Sequence, residues 1–120
     1  MSFKERVVFL DRPAFTSDDL PIPGFEHNWS EYPETEPADL VPRLFWSTTA
    51  ITHATPIDAV AIAQLHKLIR VVITGPAAVD EAACAEKGIA VQRLDMADHS
   101  GQALINLLEA MVSTEPVVNH

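Results

Sequence analysis

Leu68-Ile69-Arg70-Val71-Val72-Ile73-Thr74-Gly75 decides the fold. Apart from Arg70, residues 68–73 are all apolar, and Val and Ile dominate them. β-Branched side chains favour a pleated backbone, and near-continuous apolar character marks a parallel strand covered on both faces. Gly75-Pro76 ends the run. Upstream, Thr55-Pro56-Ile57-Asp58 reads as a helix start. Thr55 supplies a cap, Pro56 suits the first helical position, and Asp58 favours the positive end of the helix dipole. Ile57, Ala61 and Leu65 continue at the spacing of one buried face. Downstream, residues 80–87 form a short alanine-rich helix ended by Gly88, a residue that readily adopts the left-handed terminating conformation. Ile89-Ala90-Val91 supplies the next strand.

The same alternation extends to both ends. Val7-Val8-Phe9-Leu10 reads as a buried strand stopped by Asp11-Arg12-Pro13, and Thr48 to Thr52 as a second core strand. Residues 25–32 alternate weakly and suit an edge strand. Residues 37–46 read as a short or kinked helix, because Pro42 removes one backbone donor and biases Val41 away from helical angles. Residues 100–112 form the last helix, with Leu104, Leu108 and Met111 on one stripe and Ile105 and Val112 beside it. Residues 1–112 are expected to be one domain and residues 113–120 a flexible tail.

Composition narrows the function classes. The 120 residues carry 17 acidic and 8 basic side chains, a net charge of −9. That balance argues against a nucleic-acid surface, which needs clustered Lys and Arg. The acids gather in residues 1–40 (Glu5, Asp11, Asp18, Asp19, Glu26, Glu31, Glu34, Glu36 and Asp39), where they suit a solvated face. No apolar run is long enough to span a bilayer, and the first residues lack the pattern of a signal peptide. A cytoplasmic location is therefore expected. Cys84 is the only cysteine, which excludes an internal disulfide, and its alanine-rich surroundings suit a small buried hydrophobe.

Alternating strands and helices predict an α/β protein: a three-layer, flavodoxin-like sandwich with a five-stranded parallel sheet in the order 2-1-3-4-5. Ligands of such sheets bind beyond the carboxyl ends of the strands. The positions to search are Asp11-Arg12, Thr52-His53, Gly75-Pro76 and residues 95–99. They do not carry a flavin-phosphate loop, because Asp11-Arg12-Pro13-Ala14 follows the first strand. Nor do they carry the acidic cluster, strand-end Asp and Lys of a phosphate-accepting receiver. No glycine-rich phosphate loop or dinucleotide fingerprint occurs.

Residues 51–58, 68–75, 79–83 and 86–91, taken in order and spacing, resemble the substrate-binding (catalytic) domain of the D-isomer-specific 2-hydroxyacid dehydrogenases, especially the glycerate dehydrogenase branch. Val7-Val8-Phe9-Leu10-Asp11-Arg12 fits that family's opening strand, and residues 100–111 look like the helix leading toward its cofactor domain. The resemblance spans about residues 6–112. It implies an enzyme that moves a hydride between a nicotinamide cofactor and a 2-hydroxy or 2-oxo acid in a cleft between two domains. The family's dinucleotide fingerprint, carboxylate-binding Arg and acid–base Glu and His all lie downstream of the part matched here, so no position inherits a catalytic or cofactor-binding role. What the resemblance does carry over is the substrate-side loop Thr74-Gly75-Pro76-Ala77, with Thr52-His53 at the neighbouring strand end. Even there Pro76 lacks an N–H, Ala77 replaces a usual Asp or Asn, and His53-Ala54 replaces a common Asn-Lys pair.

Two sharper readings compete with bland ones. Imidazole titrates near neutrality as a residue type, so His53 is a candidate general base that Asp11 would orient; the simpler reading is a hydrogen-bonded polar residue at a strand end. Asp95, Asp98 and His99 with His53 form a conceivable metal set, but their spacing matches no metal motif and Asp98 suits a helix cap. Neither metal nor cofactor is expected. Trp29 and Trp46 are expected as core or interface anchors. The apolar stripe of the last helix predicts a homodimer through residues 100–112.

Three functions follow. The first is a stand-alone, inactive relative of the dehydrogenase substrate domain that binds either a small carboxylate, a 2-oxo or 2-hydroxy acid being the candidate, or nothing. The second is a protein-interaction or dimerisation module. The third is a subunit completed in trans by an NAD-binding partner, or a new activity centred on His53.

Overall fold

The computed structural model describes residues 5–11, 27–94 and 101–113. Its strands are β1 (Glu5–Phe9), β2 (His27–Glu31), β3 (Thr49–Thr52), β4 (Arg70–Ile73) and β5 (Ala90–Arg93). They form one all-parallel sheet in the order β2-β1-β3-β4-β5, the predicted flavodoxin-like arrangement. β3 and β4 are buried along their whole length, whereas β2 and β5, at the sheet edges, are largely exposed. The sequence shows this difference: β2 reads His-Asn-Trp-Ser-Glu where β4 reads Arg-Val-Val-Ile.

Helices α1 (Pro37–Leu44), α2 (Ala59–Ala63) and α3 (Glu81–Glu86) belong with one face of the sheet. Leu40 and Leu44 of α1, Ala61 and Ile62 of α2 and Cys84 of α3 share one core with Val8, Ala50, Val71 and Ile73. On the opposite face α4 (Gly101–Ser113) packs Leu104, Ile105, Leu108 and Met111 on Val7, Phe9, Ile51 and Val72. Each such large side chain contributes about 1.5–3 kcal/mol on full burial. The predicted apolar stripe thus covers the chain's own sheet, and Leu107 and Val112 are left half-buried. Homodimerisation through this helix therefore has to draw on what lies beside the stripe.

Two boundaries move for physical reasons. The helix expected to start at Thr55 begins at Ala59, because Asp58, not Thr55, accepts the capping bond from Ala61 N. Pro56 and Ile57 lie in the preceding loop, where Ile57 bridges Val79 in parallel. In α1, Pro42 lies inside the helix but on its exposed side, and the helix stops at Leu44. Trp46 is consequently 60% exposed and is no core anchor, while Trp29 is half-buried and donates to Glu31. Asp80 caps α3 through Ala83 N, and Gly88 ends it at φ +74°, as the glycine predicts. Arg12, residues 95–99 and residues 114–120 lie outside the described residues, and with them the expectations placed there.

Candidate functional site

β1 is prolonged by one ladder bond, Leu10 N to Ile51 O at 3.0 Å, which delivers Asp11 to the carboxyl end of the sheet. Asp11 is buried, and its carboxylate accepts four hydrogen bonds. Its Oδ1 accepts from His53 N at 2.9 Å. Its Oδ2 accepts from Ala54 N at 2.7 Å, Thr55 N at 3.0 Å and Thr55 Oγ1 at 3.1 Å. Three successive backbone donors converge on one anion, an arrangement that suits a carboxylate and here holds an internal one. The loop after β3 is thereby fixed to the end of β1. Thr52 tightens it further: its buried hydroxyl donates to Thr55 O at 2.7 Å and accepts from Thr55 N at 3.1 Å.

This clamp sets the position of His53. Its half-buried imidazole stands with Nδ1 3.1 Å from Oγ1 of Thr74, which is itself buried at the end of β4. A Cβ on Gly75 would lie 2.6 Å from Cε1 and 2.7 Å from both Nδ1 and Nε2 of that ring. Three near-equal distances place the face of the imidazole over Gly75, an approach that only glycine allows. Asp11 does not orient the ring, contrary to the sequence expectation, since its oxygens engage the loop backbone; Thr74 bonds the ring instead.

The donors of the loop are mostly engaged. Thr74 N donates to Thr52 O at 2.9 Å and Ala77 N to His53 O at 3.0 Å, and Pro76 has no N–H. Within residues 74–77, the Gly75 N–H is the one that no described residue accepts. The Ala77 side chain is buried and Pro76 is exposed. The structure therefore brings the candidates together with unequal roles. Thr52, Thr74 and Ala77 build the loop, and His53, Gly75 and Pro76 form its outer surface. When the Thr74 hydroxyl donates to Nδ1, the in-plane Nε2–H of His53 and the Gly75 N–H are the donors the loop can offer to a small anion. Among the described residues no group of three His, Cys, Asp or Glu could hold a metal ion. Cys84 lies apart from the loop; burial first, then Asp80 and Glu81, push its thiol above the ordinary range, away from the reactive thiolate.

Sequence reasoning placed Asp11 and His53 near one another but missed how they meet. The available signal was an Asp directly after an apolar run and a Thr two residues beyond the His, since short polar side chains at strand ends commonly satisfy loop backbone.

The chain is 36% identical over 92 residues to a Haemophilus influenzae protein provisionally named 2-hydroxyacid dehydrogenase. The match takes in 74% of this chain and 29% of that protein, so the chain spans less than a third of the relative's length. No family model matches the sequence.

Proposed function

We propose that this chain is a substrate-side domain of the D-2-hydroxyacid dehydrogenase kind that holds a small 2-oxo or 2-hydroxy acid and performs no hydride transfer by itself. One observation carries the reading: the His53 imidazole lies over Gly75, whose N–H is the one within residues 74–77 that no described residue accepts. The similarity to a 2-hydroxyacid dehydrogenase supplies the substrate class. The imidazole and the Gly75 N–H bind the carboxylate; Asp11 positions them through the loop backbone.

A second reading rests on the same similarity to a 2-hydroxyacid dehydrogenase: a nucleotide-binding partner completes an oxidoreductase around the same loop. Thermal shift tests the acid site that both readings share. Pyruvate and lactate should each raise Tm saturably, and His53→Ala should abolish the response; a ligand at 100 times its Kd adds about 2.7 kcal/mol of stability. NAD should not remove the response to either acid. If neither acid shifts Tm, carboxylate binding is overturned; where they do, hydride transfer on adding a nucleotide-binding partner would establish the second reading.

A further inference from the structure

The amino ends of the strands carry a second feature. Arg6, Asn28, Trp46, Thr48, His66 and Lys67 line a cavity of about 700 Å³. It lies across the sheet from His53, about 15 Å away at the rise of a strand of four or five residues. Cavities of this size hold small molecules.

Its charges distinguish it. Six Lys and Arg side chains fall within the described residues. Arg43 donates to Glu34 O and Thr35 Oγ1 and stacks 4.0 Å over the Tyr32 ring. Arg70 is buried on Glu5, Lys87 donates to Ile62 O and Leu65 O, and Arg93 pairs with Glu81. Only Arg6 and Lys67 bond no described group through their side chains, and both line this cavity. Glu5, the acid next to Arg6, is neutralised by Arg70 at 2.7 Å and bonded by the Thr48 hydroxyl at 2.7 Å. Among the described residues the Arg6 charge is thus left uncompensated, on a chain of net charge −9. Trp46 adds an exposed aromatic surface at the same place, held edge-to-face on Phe45 at 5.1 Å. Two free cations beside an exposed indole recognise an anion that carries a flat ring, through charge and stacking together.

We infer that this cavity is a binding site for a ring-bearing polyanion of the nucleoside phosphate class, with the ring on Trp46 and the phosphates between Arg6 and Lys67. The site is independent of the carboxylate site, which lies at the opposite ends of the strands. Its test is tryptophan fluorescence in a Trp29→Phe background, so that Trp46 alone reports, with ADP, adenosine and pyrophosphate as probes. ADP should quench saturably, and both adenosine and pyrophosphate should bind more weakly. Arg6→Gln and Lys67→Gln should each weaken ADP about tenfold, the loss of one charge-assisted contact, while leaving Tm unchanged. His53→Ala should leave ADP binding intact. Absence of a saturable quench, pyrophosphate binding as tightly as ADP, or unaltered affinity in both charge variants would each overturn the site.

Discussion

Both ends of the sheet bury a carboxylate, and the two are satisfied in opposite ways. At the amino ends Glu5 meets a side chain, the Arg70 guanidinium, which also bonds Thr49 at 3.0 Å. At the carboxyl ends Asp11 meets backbone: three amide N–H groups and one hydroxyl of the loop after β3. A side-chain partner can be replaced together with its acid, whereas backbone donors remain whatever residue replaces the acid. The first arrangement therefore fastens strands β1, β3 and β4, and the second shapes a loop. That difference explains why His53 is held in one position while the rim near Arg6 stays open.

The largest effect should come from breaking the amino-end pair. Arg70→Met leaves the Glu5 carboxylate buried without its cation and is expected to cost about 3–5 kcal/mol in urea unfolding. Adding Glu5→Leu should return most of that loss, because a buried ion pair is often no better than apolar groups of the same size. Asp11→Ala should cost about 3 kcal/mol by leaving buried amides without an acceptor, and no second side-chain substitution should restore it. Recovery of the Asp11 variant through a single partner change would break the contrast.

A smaller effect sharpens it. Gly75→Ala forces a Cβ onto the His53 ring and should cost about 1–3 kcal/mol, as overpacking does. His53→Ala removes the obstacle, so the double variant should be more stable than Gly75→Ala alone. A double-mutant cycle with no coupling would show that ring and glycine are not in contact. The smallest effect concerns Cys84, remote from both ends. Its raised folded-state pKa means that the neutral thiol favours the native state. That contribution is complete below the ordinary thiol pKa and declines as pH rises through it toward the folded value. The fall should be absent in Cys84→Ala, and a thiol reagent should label Cys84 only as the protein unfolds.

Much of the fold was legible because its signals are local. The apolar run at 68–73, the Asp caps and Gly88 act over a few residues, and strand order follows from alternation. For Trp46 the sequence left core and interface both open, and only the end of α1 at Leu44 shows that it is not core. At the candidate site the residue choice was legible but its bonding was not. Asp11 and His53 are separated by 42 positions, and nothing local indicates that the carboxylate takes the backbone N–H and leaves the ring to Thr74. The free cations were equally hidden, because a cation is unpaired only once every neighbour is placed.

The most direct test of the carboxylate site is an NMR titration of isotope-labelled protein with pyruvate. The Gly75 amide and the His53 ring resonances should shift together and saturate, while those of Arg6 and Trp46 stay fixed. An unmoved Gly75 amide at saturating pyruvate, or equal shifts in His53→Ala, would contradict the assignment.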